Sequence, residues 1–381
     1  MKPVSMLDLN LEYRHMKTDI DAAIKKCLEH QKWILGPEVK ELEETIAGYM
    51  GVNHCIGVSS GTEALVLSLR ALAIKTKGKQ YFDRSDEIIT TPFTFTATGD
   101  AILRAGATPV FVDIDPGTFN LDAGQVERYL AGAASNVVGI VPVHLYGQAC
   151  DMDGLTRIAK KYGLFIVEDV AQAFGGKWRD KKLGSLGTTG AFSFFPSKNL
   201  GGFGDGGMVS TNDEELAGLI RMLLKHGGKD KYNVDHIGYN ARLDTIQAAV
   251  LLAKLKYIDE FNERRREIAS LYYSELSRAA GIILPAGQEG AHHVYHQYTI
   301  RVASGKRDML QARLREKGIA TMVYYPVALH KMRAFDGRMV TADGLGEAER
   351  AADEVLSLPI EPLMEKSTVE EIAGEIKLCT A

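Results

Sequence analysis

Between residues 87 and 210 the chain is punctuated by short, almost uninterrupted runs of Val, Ile, Leu and Phe. They are Glu87–Thr91, Thr108–Asp113, Val137–His144 and Leu164–Glu168, followed by Gly190–Phe195 and Gly207–Ser210. None alternates apolar with polar residues, so strands formed from them must be covered on both faces. Strands of that kind belong to mostly parallel sheets. The amphipathic stretches between them, such as Gly154–Tyr162, supply the covering helices. The pattern predicts an α/β fold built from βαβ units.

On either side the character differs. Residues 7–50 read as helix broken at Gly36-Pro37, and Ile74–Asp86 reads as a polar surface loop. After Asn240 a helical run rich in Leu, Lys, Glu and Arg continues to Arg278. Strand-like Tyr295–Val302, helical Lys306–Lys317 and strand-like Thr321–Tyr325 then follow. This predicts a large domain over residues 1–250, then a connecting helix and a smaller α+β domain over 251–381.

Composition narrows the function. With a formal net charge of -4 the chain has no basic surplus for nucleic acid or an anionic membrane. No stretch approaches the roughly 20 apolar residues that a membrane helix needs. The opening MKPVSMLDLNLEYRHMKTDI mixes charges with apolar residues too early for a secretory signal. Cys27, Cys55, Cys150 and Cys379 are scattered, with no CxxC pair. Neither a disulfide framework nor a metal site is expected, and a reducing cytoplasm is the expected location.

Five segments carry groups suited to chemistry. In GAFSFFPSKNLGGFGDGG a strand ends near Phe195 and Lys198 follows in a glycine-rich loop. A lysine beside an apolar strand end is a nucleophile if desolvated, and an ordinary surface lysine if not. The glycines either cradle a phosphate or close a turn. In LFIVEDVAQAFGG an apolar strand delivers Glu168 and Asp169 to its C-terminal end, where open α/β sheets bind ligands. One carboxylate there suits a cationic ring nitrogen, with Gln172 three residues on; Asp169 as a helix cap is the plainer reading. VSSGTEALVLSL runs from a strand into a helix, and its Ser60, Gly61 and Thr62 suit a phosphate or a simple cap. TTPFTFTATGDA sets Phe93 and Phe95 in a polar loop, for stacking on a flat ring or for packing. In GYNARLDTIQAAVL, Asn240 and Arg242 precede an apolar helix, as cap and ion-pair partner or as ligands to an anion.

Together these pieces resemble the DegT/DnrJ/EryC1/StrS sugar aminotransferases. The likeness extends through LDLNLEYRHMKTDIDAAI, WILGPEVKELEE, GATPVFVDIDPGTFNLD, YYPVALH and SLPI. It implies the pyridoxal-phosphate (PLP) type I fold, with a mostly parallel seven-stranded sheet between helices. It also implies PLP cycling with pyridoxamine phosphate, a nucleotide-linked keto sugar as acceptor, glutamate as amino donor, and a homodimer with shared sites. Lys198 resembles the lysine that holds the cofactor covalently and then moves the proton. Asp169 resembles the partner of the pyridine nitrogen, Gln172 the residue at the ring's phenolic oxygen, and Phe95 the stacked aromatic. Gly61, Thr62 and Ser193 resemble phosphate ligands, and Asn240 a phosphate ligand given by the second subunit with Arg242 nearby.

Lysine at position 198, where dehydratase relatives carry histidine, implies transamination. The opening segment, ILGPEV and SFFPSK resemble members aminating C3 of a sugar rather than C4, including those handling a UDP-linked 3-keto uronic acid; Arg242 then meets a substrate carboxylate. Trp33, Tyr324, Tyr325 and His330 resemble substrate-pocket residues, with packing at a subunit interface as the alternative. Two competing readings are a PLP enzyme acting on a carbocyclic ketone and a non-catalytic sensor or scaffold of the same fold.

Overall fold

The apolar runs become strands of one sheet in the computed structural model, which describes residues 3–132, 136–228 and 232–380. Its strands are β1 (His54–Val58), β2 (Glu87–Thr90), β3 (Thr108–Phe111), β4 (Val137–Val141), β5 (Phe165–Asp169), β6 (Thr189–Ser193), β7 (Gly207–Thr211) and β8 (Val340–Thr341). Their order is β1-β7-β6-β5-β4-β2-β3-β8. Pairing is parallel from β6 to β8, whereas β7 runs antiparallel to both of its neighbours. Seven strands match the family expectation. The eighth is a two-residue edge supplied by the chain after residue 251, which therefore does not stay within the smaller sheet.

Adjacent residues of these strands enter different cores. Ile89, Ile140, Ile166 and Phe192 pack on one face with Leu155 and Ile158 of the helix Met152–Tyr162. Ile88, Val141, Val167 and Ala191 pack on the other with Leu65 and Leu69 of Gly61–Lys77 and Ile220 of Glu214–Leu223. Two helical layers around one sheet are what continuous apolar runs require.

Helix α1 (Leu9–His30) is capped by Asp8, whose Oδ1 accepts from the N–H groups of Asn10 and Leu11 at 2.9 and 3.1 Å. The break at Gly36-Pro37 is where expected: Pro37 opens α2 (Pro37–Met50), a position where its missing N–H costs nothing. Helix α3 (Gly61–Lys77) runs further than expected, so only the latter part of Ile74–Asp86 is loop.

The run after Asn240 is also corrected. Residues 240–242 are extended, with Asn240 bridging Lys225 and Arg242 bridging Val58. Helix starts only at Thr245, with Asp244 in the cap position, and it breaks at Lys256-Tyr257 into Thr245–Leu255 and Ile258–Leu276.

The second helix carries Ile268, Tyr272 and Leu276 into a separate core with Ile300, Leu356 and Ile372. That core covers an antiparallel three-stranded sheet of Ile282–Ile283, Tyr298–Val302 and Val355–Leu358. Thr321–Tyr325 is not a strand. Met322 makes one bridge to Ser357, then the chain turns away into Pro326, which has no N–H to continue a ladder.

Candidate active site

The period of two along β5 separates its two terminal carboxylates. Glu168 points to the side of Ile166, and Asp169 to the side of α3. Glu168 is fully buried and saturated: it accepts from the N–H groups of Gly184, Leu186 and Gly187 at 2.8, 2.8 and 2.6 Å, with His144 Nε2 at 3.0 Å. His144 Nδ1 accepts the N–H of Cys150 at 3.1 Å, so Nε2 carries the proton and donates to Glu168. This carboxylate ties down a loop.

Asp169 faces a cavity of about 490 Å³. One oxygen accepts the Thr98 hydroxyl at 2.9 Å and the other the Ala171 N–H at 3.1 Å. Burial raises its carboxyl above the usual range, while these two hydrogen bonds and the charge of Lys198 pull it back. No helix follows Asp169, so the cap reading is set aside.

Lys198 enters the same cavity from the turn after β6, where its N–H donates to Phe195 O at 2.8 Å. Burial lowers its ammonium to about 8, against the opposing pull of Asp169. Its side chain is partly buried and lines the cavity beside Asp169, which is not the setting of an ordinary surface lysine. The glycine run beyond it closes on protein rather than on a ligand. A Cβ at Gly201 would lie 2.4 Å from Pro196 O, one at Gly204 would lie 2.9 Å from Gln247 Nε2, and Gln247 Oε1 accepts the Phe203 N–H at 2.8 Å.

Amides free to meet an anion lie instead at the start of α3. Ser60 caps that helix through Glu63 N at 3.1 Å, and the first-turn residues Gly61 and Thr62 line the cavity. Helix geometry leaves such amides without intrahelical partners and gives them a positive field. A Cβ at Gly61 would come within 2.6 Å of Ser193 Cβ, so only glycine lets β6 and α3 approach this closely. Ser193 lines the cavity beside them.

The two loop aromatics separate. Phe93 is buried against Phe119 and Tyr325, whereas Phe95 is 55% exposed on the cavity wall, 6.1 Å between centroids from Tyr325. Gln172 is held at both ends: Oε1 accepts the Tyr146 N–H at 2.8 Å, and Nε2 donates to the Tyr325 hydroxyl at 2.9 Å. Tyr324 and Tyr325 line the opposite side, together with His296 and Gln297. The carbonyl of Tyr324 accepts from the Tyr146 hydroxyl.

Four expected residues lie outside the cavity of their own chain. Asn240 is exposed and accepts from Arg242. Trp33 is 38% exposed in the loop between α1 and α2, and its carbonyl accepts the Thr245 N–H. His330 is paired with Glu349 at 2.9 Å. Conversely, Thr98 and His296 line the cavity and were not anticipated, nor was Tyr146, which holds Gln172 and Tyr324 from behind it. Thr98 stands in the first turn of the helix Ala97–Arg104, four residues beyond Thr94, and His296 lies in a segment that reads only as strand.

A buried carboxylate, an amine lowered by burial, a helix start and an open aromatic face meet at the C-terminal ends of a mostly parallel sheet, the place and the groups expected of an α/β enzyme site. The chain belongs to the DegT/DnrJ/EryC1/StrS aminotransferase family, whose model matches residues 14–377.

Among its relatives, the pleiotropic regulatory protein of Geobacillus stearothermophilus is 46% identical over 375 residues, covering 98% of this chain and 97% of its own. The UDP-N-acetyl-3-dehydro-alpha-D-glucosamine 3-aminotransferase of Acidithiobacillus ferrooxidans is 40% identical over 374 residues, covering 98% and 97%. The crystal structure of Streptomyces venezuelae DesV in complex with a ketimine intermediate matches with a TM-score of 0.92 at 38% identity, over 99% of this chain and 98% of that one. Among the described residues, no helix is long and apolar enough to cross a membrane.

Proposed function

We propose that this protein is a PLP-dependent aminotransferase that moves an amino group from glutamate onto C3 of a keto sugar carried on a nucleotide. The observation that carries the reading is the pairing of Lys198 with Asp169 in one cavity, the lysine lowered to about 8 by burial.

The residues fit the cofactor. Gly61, Thr62 and Ser193 offer the phosphate a helix start that only glycine permits, and Phe95 offers a ring face. Asp169 offers a carboxylate to a protonated pyridine nitrogen, and the Gln172 amide offers a donor beside the phenolic oxygen. When bound, PLP supplies an electron sink for the carbon that gains or loses the amine.

The chain's own residues do the rest. Near neutral pH Lys198 exchanges a proton readily at Nζ, which suits it to the proton transfer that each half-reaction requires. Burial raises the Asp169 carboxyl, and the donors Ala171 and Thr98 together with the charge of Lys198 oppose that rise by favouring the carboxylate. Tyr324, Tyr325 and His296 line the same cavity, the two tyrosines packing beside Phe93 and Phe119.

C3 rather than C4 as the site of amination is supported by the Acidithiobacillus relative, whose name specifies a 3-aminotransferase. The name of the Geobacillus relative points to regulation, but a scaffold has no use for a desolvated lysine beside a buried carboxylate. A homodimer with shared sites is supported by Asn240, exposed outside its own cavity. The loop with exposed Trp33, Ile34 and Leu35 lies next to it, bridged from Ile34 to Asp244, and such an apolar patch suits a subunit contact. Arg242, bonded to Asn240, would then stand at the partner's cavity.

The test is the absorbance spectrum of purified protein before and after borohydride. A visible band lost on reduction, with phosphopyridoxyl fixed on Lys198, is expected. No band after adding PLP overturns the reading. Mixing Asn240→Ala with Lys198→Ala chains should restore one site per mixed dimer; no rescue under demonstrated subunit exchange removes the shared-site assignment.

A further inference from the structure

A chain of buried amides fixes the state of one cavity residue. Asn262 Nδ2 donates to the Phe174 carbonyl at 3.1 Å, so its Oδ1 is the atom facing Asn199 Nδ2 at 2.7 Å. Asn199 Nδ2 also donates to the Val294 carbonyl at 3.2 Å, so Asn199 Oδ1 is an acceptor. That oxygen lies 3.1 Å from His296 Nδ1. An acceptor oxygen there requires the proton on Nδ1, and a neutral ring then keeps a bare lone pair on Nε2. Each amide direction is dictated by a backbone carbonyl, which can only accept. Asn199, Asn262 and His296 are all less than one-tenth exposed, so water does not substitute for any link.

His296 lines the cavity that holds Lys198. Its Nδ1 edge is engaged by Asn199, and no hydrogen bond to Nε2 is found among the described residues. Burial and the nearby charge of Lys198 both keep the imidazolium from forming. The ring is therefore a neutral, acceptor-only group with a single orientation. Such a group matches a hydroxyl, which has a proton to give. It opposes a carboxylate, which brings only lone pairs.

We propose that His296 is a substrate-binding residue that accepts a hydrogen bond from a sugar hydroxyl through Nε2 and takes no part in binding the dicarboxylate amino donor. This rests on the aminotransferase reading above. It adds that the two half-reactions, which share Lys198, differ in their use of His296.

Two measurements test it. Nitrogen-15 shifts of His296 in the cofactor-free protein should report the Nδ1–H tautomer; an Nε2–H tautomer overturns the proposal. In the loaded enzyme the half-reactions are followed separately by the cofactor's absorbance, with glutamate and with a UDP-linked 3-keto N-acetylhexosamine. His296→Phe should weaken the apparent affinity for that sugar about tenfold and leave the glutamate step within about twofold. His296→Gln, whose amide oxygen can stand near the position of Nε2, should recover part of the loss. Equal losses in both steps, or an unchanged sugar step, overturn the proposal. Should His296→Phe fail to fold, the tautomer decides alone. A wild-type enzyme that is silent toward glutamate sinks the aminotransferase reading instead and is told apart by that.

Discussion

The two sides of the cavity are built differently. The side carrying Gly61, Asp169, Ser193 and Lys198 consists of two strand ends, a helix start and the turn after one of those strands, all placed by the large sheet. The facing side, with His296, Gln297, Tyr324 and Tyr325, consists of irregular segments between or beside strands of the smaller sheet. Its residues are positioned by long-range hydrogen bonds, such as Gln172 to Tyr325 and Asn199 to His296. On the proposed reading, chemistry common to both half-reactions falls to the first side and discrimination between substrates to the other.

The comparison breaks if damage to either side gives the same phenotype. The largest effect is expected from Lys198→Ala. Turnover should fall by at least about a thousandfold in both half-reactions, with cofactor still bound non-covalently, as single-turnover absorbance will show. Next is Gly61→Ala, whose methyl must displace Ser193. Cofactor dissociation, followed by fluorescence, should rise about ten- to a hundredfold, and Ser193→Gly in the same chain should restore much of it.

A smaller effect concerns proton affinity. Modification of Lys198 in the cofactor-free protein by an amine reagent should increase through pH 8 or so rather than near 10.5. The Asp169 carboxylate favours the ammonium, so Asp169→Asn should move that midpoint downward; an upward move breaks the link between the two residues. Smallest is Tyr325→Phe, on the far side. Removing the partner of Gln172 Nε2 should raise the KM for the keto sugar about three- to fivefold and leave cofactor affinity within about twofold.

Legibility in the sequence followed the same division. The buried runs predicted β2 to β7 within a residue or two at most ends, because a strand covered on both faces leaves a local mark. Lys198, the Glu168-Asp169 pair and the Gly61-Thr62 turn drew notice because each stands beside such a strand or a helix cap, whereas Ser193, the role of Gln172 and the choice of Asp169 over Glu168 rested on the family resemblance. The faces of β5 now separate the pair, Glu168 toward a loop and Asp169 toward the cavity.

His296 was not readable, since its meaning depends on Asn199, 97 residues before it, and on Asn262, which lies 63 residues from Asn199. Thr321–Tyr325 had strand composition, but the pull of the cavity and of Pro326 outweighed it. His330, which the YYPVALH resemblance placed among substrate residues, is paired with Glu349 outside the cavity of its own chain.

The neighbouring carboxylates at the end of β5 also set a limit on how this chain can change. Glu168 and Asp169 occupy opposite faces, one anchoring a loop through three amides and one facing Lys198. Both are acidic, so substitution statistics would treat the pair as interchangeable. Insertion or loss of one residue within Phe165–Asp169 would exchange their faces. The loop at 184–187 would lose its anchor, and the amine would face a longer side chain with none of the donors that hold Asp169. This strand should tolerate changes of side chain but not of length, and natural variation in loop size is expected to stop at its two ends.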